Sequence, residues 1–65
     1  RVRGELLKLL VAEGPLDIET AYGKLPFSHE NIERSATELA TEGFIVYNDG
    51  RLCLSEEPEG ARNGR

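Results

Sequence analysis

Three segments of the chain place apolar side chains three and four positions apart, which is the spacing of one face of an α-helix. The segments are residues 2–13, 18–25 and 29–42. The third has the clearest stripe, made of Ile32, Ala36, Leu39 and Ala40. Gly23 lies inside the second, where it lowers helix stability, and close packing against the third is one explanation for it. The pattern predicts three helices in the first two thirds of the chain.

Each predicted helix is bounded by residues that favour a helix end. Gly14 and Pro15 end the first, because proline cannot continue a helix. Asp17 is a candidate N-cap of the second, and Ser28 is the candidate N-cap of the third. Gly43 can take the left-handed conformation that closes the third helix.

A β-hairpin is predicted directly after the third helix, over residues 44–54. Asp49 and Gly50 lie between two β-rich runs, a strong signal for a two-residue turn. Alternation then divides the side chains between two faces. The face toward the helices holds Ile45, Tyr47, Leu52 and Leu54, and the outer face holds Val46, Asn48, Arg51 and Cys53. We expect Leu16 to add a short strand.

Composition limits the class of protein. The 65 residues allow one domain, which we place at 1–55, with a disordered polar tail or linker at 56–65. The chain has no methionine, so we expect it to be a piece of a longer protein. No apolar run is long enough to cross a membrane. The single cysteine excludes an internal disulfide and favours an intracellular, reducing location.

We expect no metal, no cofactor and no catalytic residues in this segment. One cysteine and one histidine do not make a zinc site. Ser28 and His29 are neighbours in sequence but point in different directions, so they form no catalytic pair. If the longer protein is an enzyme, its chemistry lies outside these residues.

The charge is acidic, at −4 overall. Arg1 and Arg3 are assigned to the less ordered end of the chain. Between Glu5 and Glu57, four basic side chains stand against eleven acidic ones, so the compact part is expected near −7. A nucleic-acid-binding domain usually has the opposite sign.

The order of helices and hairpin resembles the winged helix-turn-helix domain, an α+β fold of three helices and a two-stranded wing. The resemblance covers Glu5 to Leu54 and is most typical over residues 32–45 (IERSATELATEGFI). It implies a DNA-associated module of a larger regulator or of a replication or repair protein. The pattern indicates the fold more specifically than the function, and it assigns no subfamily.

In DNA-binding winged helices the third helix enters the major groove and the wing reaches the backbone. The resemblance therefore implies a set of duplex-contacting candidates. They are Lys24, Ser28, His29, Asn31, Arg34, Thr37, Asn48 and Arg51, with Glu30 and Glu38 on the same helix.

Two features favour an alternative function, a protein-protein interaction or accessory domain without DNA binding of its own. Arg34 lies four residues from Glu30 and from Glu38, so we expect ion pairs within the helix that leave it unavailable to phosphate. The candidate partner surface combines the extra apolar side chains of the first helix with the outer face of the wing: Leu7, Val11, Val46 and Cys53. The sequence leaves the partner and the oligomeric state open.

Overall fold

The computed structural model describes residues 1–55, and the predicted tail at 56–65 lies outside the described residues. The fold is a small α+β arrangement in which three helices and a first short strand precede a hairpin. The elements are α1 (Val2–Glu13), β1 (Leu16–Asp17), α2 (Ile18–Lys24), α3 (His29–Thr41), β2 (Ile45–Asn48) and β3 (Arg51–Leu54).

The three strands form one antiparallel sheet in the order β1-β3-β2, so the last strand along the chain is the central one. Leu16 faces Leu52 across the first pair, and Tyr47 faces Leu52 across the second. The predicted hairpin register is confirmed at all four pairs of β2 and β3. Asp49 and Gly50 both have positive φ, as a type I′ turn requires.

The ends of α3 follow the predicted capping chemistry. The Ser28 hydroxyl accepts a hydrogen bond from the Asn31 amide at 3.1 Å. At the other end Gly43 has φ 89°, and its amide donates to the Ala40 carbonyl. The Phe44 amide donates to the Leu39 carbonyl, which completes a Schellman motif. The chain is thus turned from α3 directly into β2.

The core lies between the helices and the inner face of the sheet. Its most deeply buried large side chains come from α1, α3 and β3, and they are Leu6, Leu10, Ile32, Leu39 and Leu52. Ser35 is also buried, although a pattern based on apolar residues did not predict it. With only ten buried apolar residues in the described part of the chain, each carries a large share of the stability.

Two features of α2 differ from the interpretation of the sequence. Asp17 stands at the N-cap position, but its side chain makes no capping hydrogen bond and instead accepts from Arg51. Gly23 is not explained by close packing against α3. A β-carbon placed on Gly23 would meet no other atom within 4 Å, so this position has room for a side chain.

Candidate functional site

The outward face of α3 and its N-terminus form an exposed polar surface. The residues predicted to contact DNA on this helix are all exposed: Ser28, His29, Asn31, Arg34 and Thr37. Arg34 lies one turn from both Asn31 and Thr37, because residues three apart are neighbours on a helix. A cation, an amide and a hydroxyl therefore share one patch, which we call the α3 polar face (Asn31, Arg34 and Thr37).

The prediction that Arg34 is paired within its own helix is wrong. Among residues 1–55 no carboxylate lies within 4.0 Å of its guanidinium. Glu38, one of the two expected partners, instead pairs with Arg3 at 3.4 Å. The i,i+4 spacing permits an ion pair within the helix. A cation from another element can bind the same carboxylate instead, as Arg3 does here.

Arg3 is the cation that changes the electrostatics of α3. Its guanidinium also donates to both carboxylate oxygens of Glu42, from Nη1 at 2.9 Å and from Nη2. Hydrogen bonding to Glu42 is the main cause that raises the pKa of Arg3 above its usual value. Arg3 therefore belongs to the ordered structure, contrary to its assignment to a less ordered end.

The net charge depends on which residues are counted. Residues 1–55 carry six basic and nine acidic side chains, a net of −3, whereas the expected value of about −7 covered residues 5–57, which leave out Arg1 and Arg3 and include Glu56 and Glu57. Two of those acids, Glu38 and Glu42, lie against Arg3. The acidic barrier to an approaching phosphate is smaller than the sequence indicated.

The other two predicted cations of the site are already paired. Lys24 Nζ lies 3.4 Å from the Glu13 carboxylate, which connects α2 to the end of α1. Arg51 Nη1 donates to Asp17 Oδ1 at 3.3 Å, which connects β3 to β1. Asn48, the remaining hairpin candidate, is exposed beside the turn. Within the described chain the hairpin thus carries one cation, Arg51, and that cation already has a carboxylate partner.

Two aromatic rings meet where α2 gives way to α3. Tyr22 and His29 are stacked, with ring centroids 4.0 Å apart and an interplanar angle of 8°. With Glu19 and Gly23 they line an open depression of about 460 Å³. The stack holds His29 against α2, an arrangement that sequence spacing alone did not reveal.

Glu33 lies on the side of α3 that faces the sheet. It accepts a hydrogen bond from the Tyr47 hydroxyl at 3.3 Å. Burial is the first cause that raises the pKa of Tyr47 and of Tyr22, and the negative charge of Glu33 raises both further. The two tyrosines therefore keep their protons to higher pH than free tyrosine.

Among residues 1–55, three large apolar side chains are exposed at positions outside α3. Val11, Phe44 and Val46 are exposed by 71%, 52% and 49%. Val46 also lines a groove of about 520 Å³ between the end of α1 and the outer face of the hairpin, together with Leu10, Gly14, Pro15, Cys53 and Leu54. Leu7, in contrast, packs partly against the core and contributes less free surface.

Exposed Phe44 was not identified from the sequence. It lies between the helix-closing glycine and the first strand residue, and the alternation that places Val46 on the outer face of the hairpin places Phe44 on that face as well. We call the exposed set of Val11, Phe44 and Val46 the outer apolar patch.

Neither a metal centre nor a membrane span is found in the described part of the chain. Residues 1–55 contain no group of three or more potential His, Cys, Asp and Glu ligands that could hold an ion. None of the described helices is both long and apolar enough to cross a bilayer.

Comparisons with protein-family models, with curated proteins and with solved structures gave no match. The functional conclusion therefore depends on the α3 polar face and the outer apolar patch themselves.

Proposed function

We propose that this chain is a winged-helix domain that contacts duplex DNA weakly through α3. The order of elements supports this proposal, because α2 and α3 are joined by a short turn and are followed by a hairpin. Pairing of β1 with the second hairpin strand adds the third strand beside the wing. In such a domain α3 would be the helix that enters the major groove.

The observation that carries the proposal is the guanidinium of Arg34 at the centre of the α3 polar face, with no carboxylate partner among residues 1–55. An arginine can bind a phosphate or the O6 and N7 atoms of guanine with two hydrogen bonds. Asn31 and Thr37, one turn to either side, add donors and acceptors for base edges or the backbone. Glu30 is also exposed on α3, so this helix offers a single arginine rather than a basic patch.

Weak binding is expected because the remaining cations must exchange partners. Lys24 and Arg51 would leave Glu13 and Asp17 to reach phosphates. Both pairs are about half exposed, and exposed ion pairs contribute only about 0 to 1 kcal/mol. The exchange therefore costs little, but it leaves two carboxylates beside the DNA, and affinity should fall steeply with salt.

The test is a fluorescence-anisotropy titration of a labelled duplex at low salt with wild-type protein, Arg34→Ala and Lys8→Ala. Lys8 is the matched control, because it removes the same charge from an exposed position on α1. We expect Arg34→Ala to weaken binding several-fold and to lower the salt slope by about 0.9, whereas Lys8→Ala changes little. Equal losses from both variants would indicate unspecific charge attraction and contradict the proposal.

The second candidate is an accessory domain that binds protein and not DNA. The outer apolar patch favours it, since three large apolar side chains remain about half exposed or more on a domain of this size. Complete absence of duplex binding at low salt, with Arg34→Ala indistinguishable from wild type, would favour this candidate over the first.

A further inference from the structure

Strand β2 forms an edge of the sheet, and half of its backbone groups have no partner within residues 1–55. The two-residue turn makes Asn48 and Arg51 a hydrogen-bonded pair. The Ser55 amide donates to the Phe44 carbonyl, which shows that the same alternation continues along the strand. The amides and carbonyls of Ile45 and Tyr47 therefore point away from β3, toward the open edge.

This edge lacks the features that usually prevent strands from pairing. From Phe44 to Asn48 the chain carries no charge and no proline, and it consists mostly of residues with high β-propensity. Natural edges are commonly blocked by lysine, proline or a bulge. Here two side chains on the outer face of the edge, Phe44 and Val46, are in addition half exposed.

We propose that β2 pairs antiparallel with β2 of a second copy of this chain, with Val46 of each copy at the two-fold axis. In this register the free backbone groups of Ile45 in one copy meet those of Tyr47 in the other, on both sides of the axis. All four residues involved lie in regular strand, so the match requires no backbone rearrangement. The result is a continuous six-stranded sheet.

Side-chain chemistry favours a second copy in this register. Val46 faces its own counterpart in a non-hydrogen-bonded pair, where side chains approach most closely. Phe44 faces Asn48 of the other copy, so no charge is buried. Two acidic chains repel one another elsewhere, and the uncharged β2 edge is where they meet with the least electrostatic cost.

The dimer should be weak. One strand pair with Phe44 and Val46 covers far less than the roughly 1,200 Å² of a standard stable interface. Association should therefore depend on concentration and be seen at the high concentrations used for NMR. The proposed dimer uses β2, which shares no residue with the α3 polar face that is proposed to contact DNA. It rests on the second candidate function, a protein-binding domain, and gives that domain a second copy of the chain as its partner.

Disulfide trapping tests the register. In a Cys53→Ser background, Val46→Cys places two thiols across a pair whose Cα atoms are about 4.5 Å apart, close enough for a disulfide. Asn48→Cys in the same background is the control, since each Asn48 faces Phe44 of the other copy. We expect mild oxidation to give a covalent dimer from the Val46→Cys protein at least ten-fold faster than from the Asn48→Cys protein.

Amide hydrogen exchange tests the same pairing without new cysteines. The Ile45 and Tyr47 amides should become more protected as wild-type concentration rises, whereas in Val46→Lys they should exchange independently of concentration. Val46 is half exposed, so lysine leaves the monomer folded, and Val46→Thr is the neutral control. Equal trapping at both positions, or no concentration dependence in wild type, would overturn the proposal.

Failure of this dimer is distinguishable from failure of DNA binding. Arg34→Ala leaves β2 unchanged, so its Ile45 and Tyr47 amides should show the same concentration-dependent protection as wild type whether or not the protein binds DNA.

Discussion

Arg3 in the first turn of α1 donates a 2.9 Å hydrogen bond to Glu42 at the end of α3, across 39 positions of sequence. The same guanidinium reaches Glu38, one turn earlier on α3. A single cation therefore holds the start of one helix against the end of another and, by occupying Glu38, leaves Arg34 without that carboxylate.

Replacing Arg3 by alanine should loosen the first turn of α1 and lower the thermal midpoint at low salt. The loss should shrink as salt rises, because exposed charges are screened. Amide exchange in α1 and circular dichroism melting measure the two effects. Lys8→Ala is the control, since Lys8 Nζ lies 4.0 Å from the Glu5 carboxylate and both residues belong to the same helix. A Lys8→Ala loss as large as that of Arg3→Ala would show that the contact between helices contributes nothing.

Ser28→Ala should destabilise the domain by about 1 kcal/mol, because the Asn31 amide loses its hydrogen-bond acceptor. Ser28→Asp should retain most of the stability. Thr37→Ala, at an exposed position in the interior of the same helix, serves as the comparison and should be neutral or slightly stabilising, because alanine has the higher helix propensity. Urea unfolding gives all three free energies, and a neutral Ser28→Ala would contradict the role of the cap.

Replacing glycine by alanine should stabilise the fold at one position, Gly4, and destabilise it at another, Gly43. Gly4 lies in α1, where an added β-carbon would meet open space, so Gly4→Ala should stabilise by about 0.5–1 kcal/mol. Gly43 has φ 89°, so Gly43→Ala should destabilise by about 1 kcal/mol or more despite equally open space. Thermal unfolding of the two variants measures the change in the midpoint of each relative to wild type. Two shifts of the same sign would show that φ is not the controlling quantity.

Stability should fall as the pH rises above 10. Tyr22 and Tyr47 have raised pKa values in the folded state, so the unfolded chain loses these protons first. From the unfolded value of 10.0 up to the folded pKa, the unfolded state binds fewer protons and becomes more favourable. Urea unfolding at a series of alkaline pH values should show the loss, and Tyr47→Phe should reduce it. An unchanged slope in Tyr47→Phe would exclude Tyr47 as a source.

Asp17→Asn should strengthen duplex binding if the wing reaches phosphate. The change releases Arg51 from its carboxylate partner and removes one negative charge from β1. One further phosphate contact would steepen the salt slope by about 0.9. Glu5→Gln is the matched control, because it makes the same change in charge and releases Lys8 on α1. Equal gains from both variants would assign the effect to net charge alone.

Local chemistry made most of the fold predictable. Apolar periodicity placed the three helices, Ser28 and Gly43 set the ends of α3, and the Asp49-Gly50 pair fixed the hairpin register. Each of these signals acts within a few residues, where backbone geometry leaves few choices. Leu16 was also predicted as a strand, and it pairs with Leu52.

The charge pairing of the candidate site could not be predicted in the same way. The pairs from Arg3 to Glu42 and from Arg51 to Asp17 join residues that only the tertiary structure brings together. Sequence spacing suggested Arg34 with Glu38, but Arg3 holds that carboxylate. Phe44 was missed for a different reason, because the alternation of the hairpin was applied from Ile45 onward, although it also places Phe44 on the outer face beside Val46.

The central position of β3 has a consequence for how the chain folds. The Ile18 amide at the start of α2 donates to the Gly50 carbonyl, and Leu16 has no strand to pair with until Leu52 is in place. On a ribosome, α1, β1 and α2 would emerge well before the strand that completes their sheet. The sheet therefore cannot be completed until β3, the last of the three strands along the chain, has been synthesised. The three strands thus cannot pair one after another in the order in which they are synthesised, because β1 has to wait for β3.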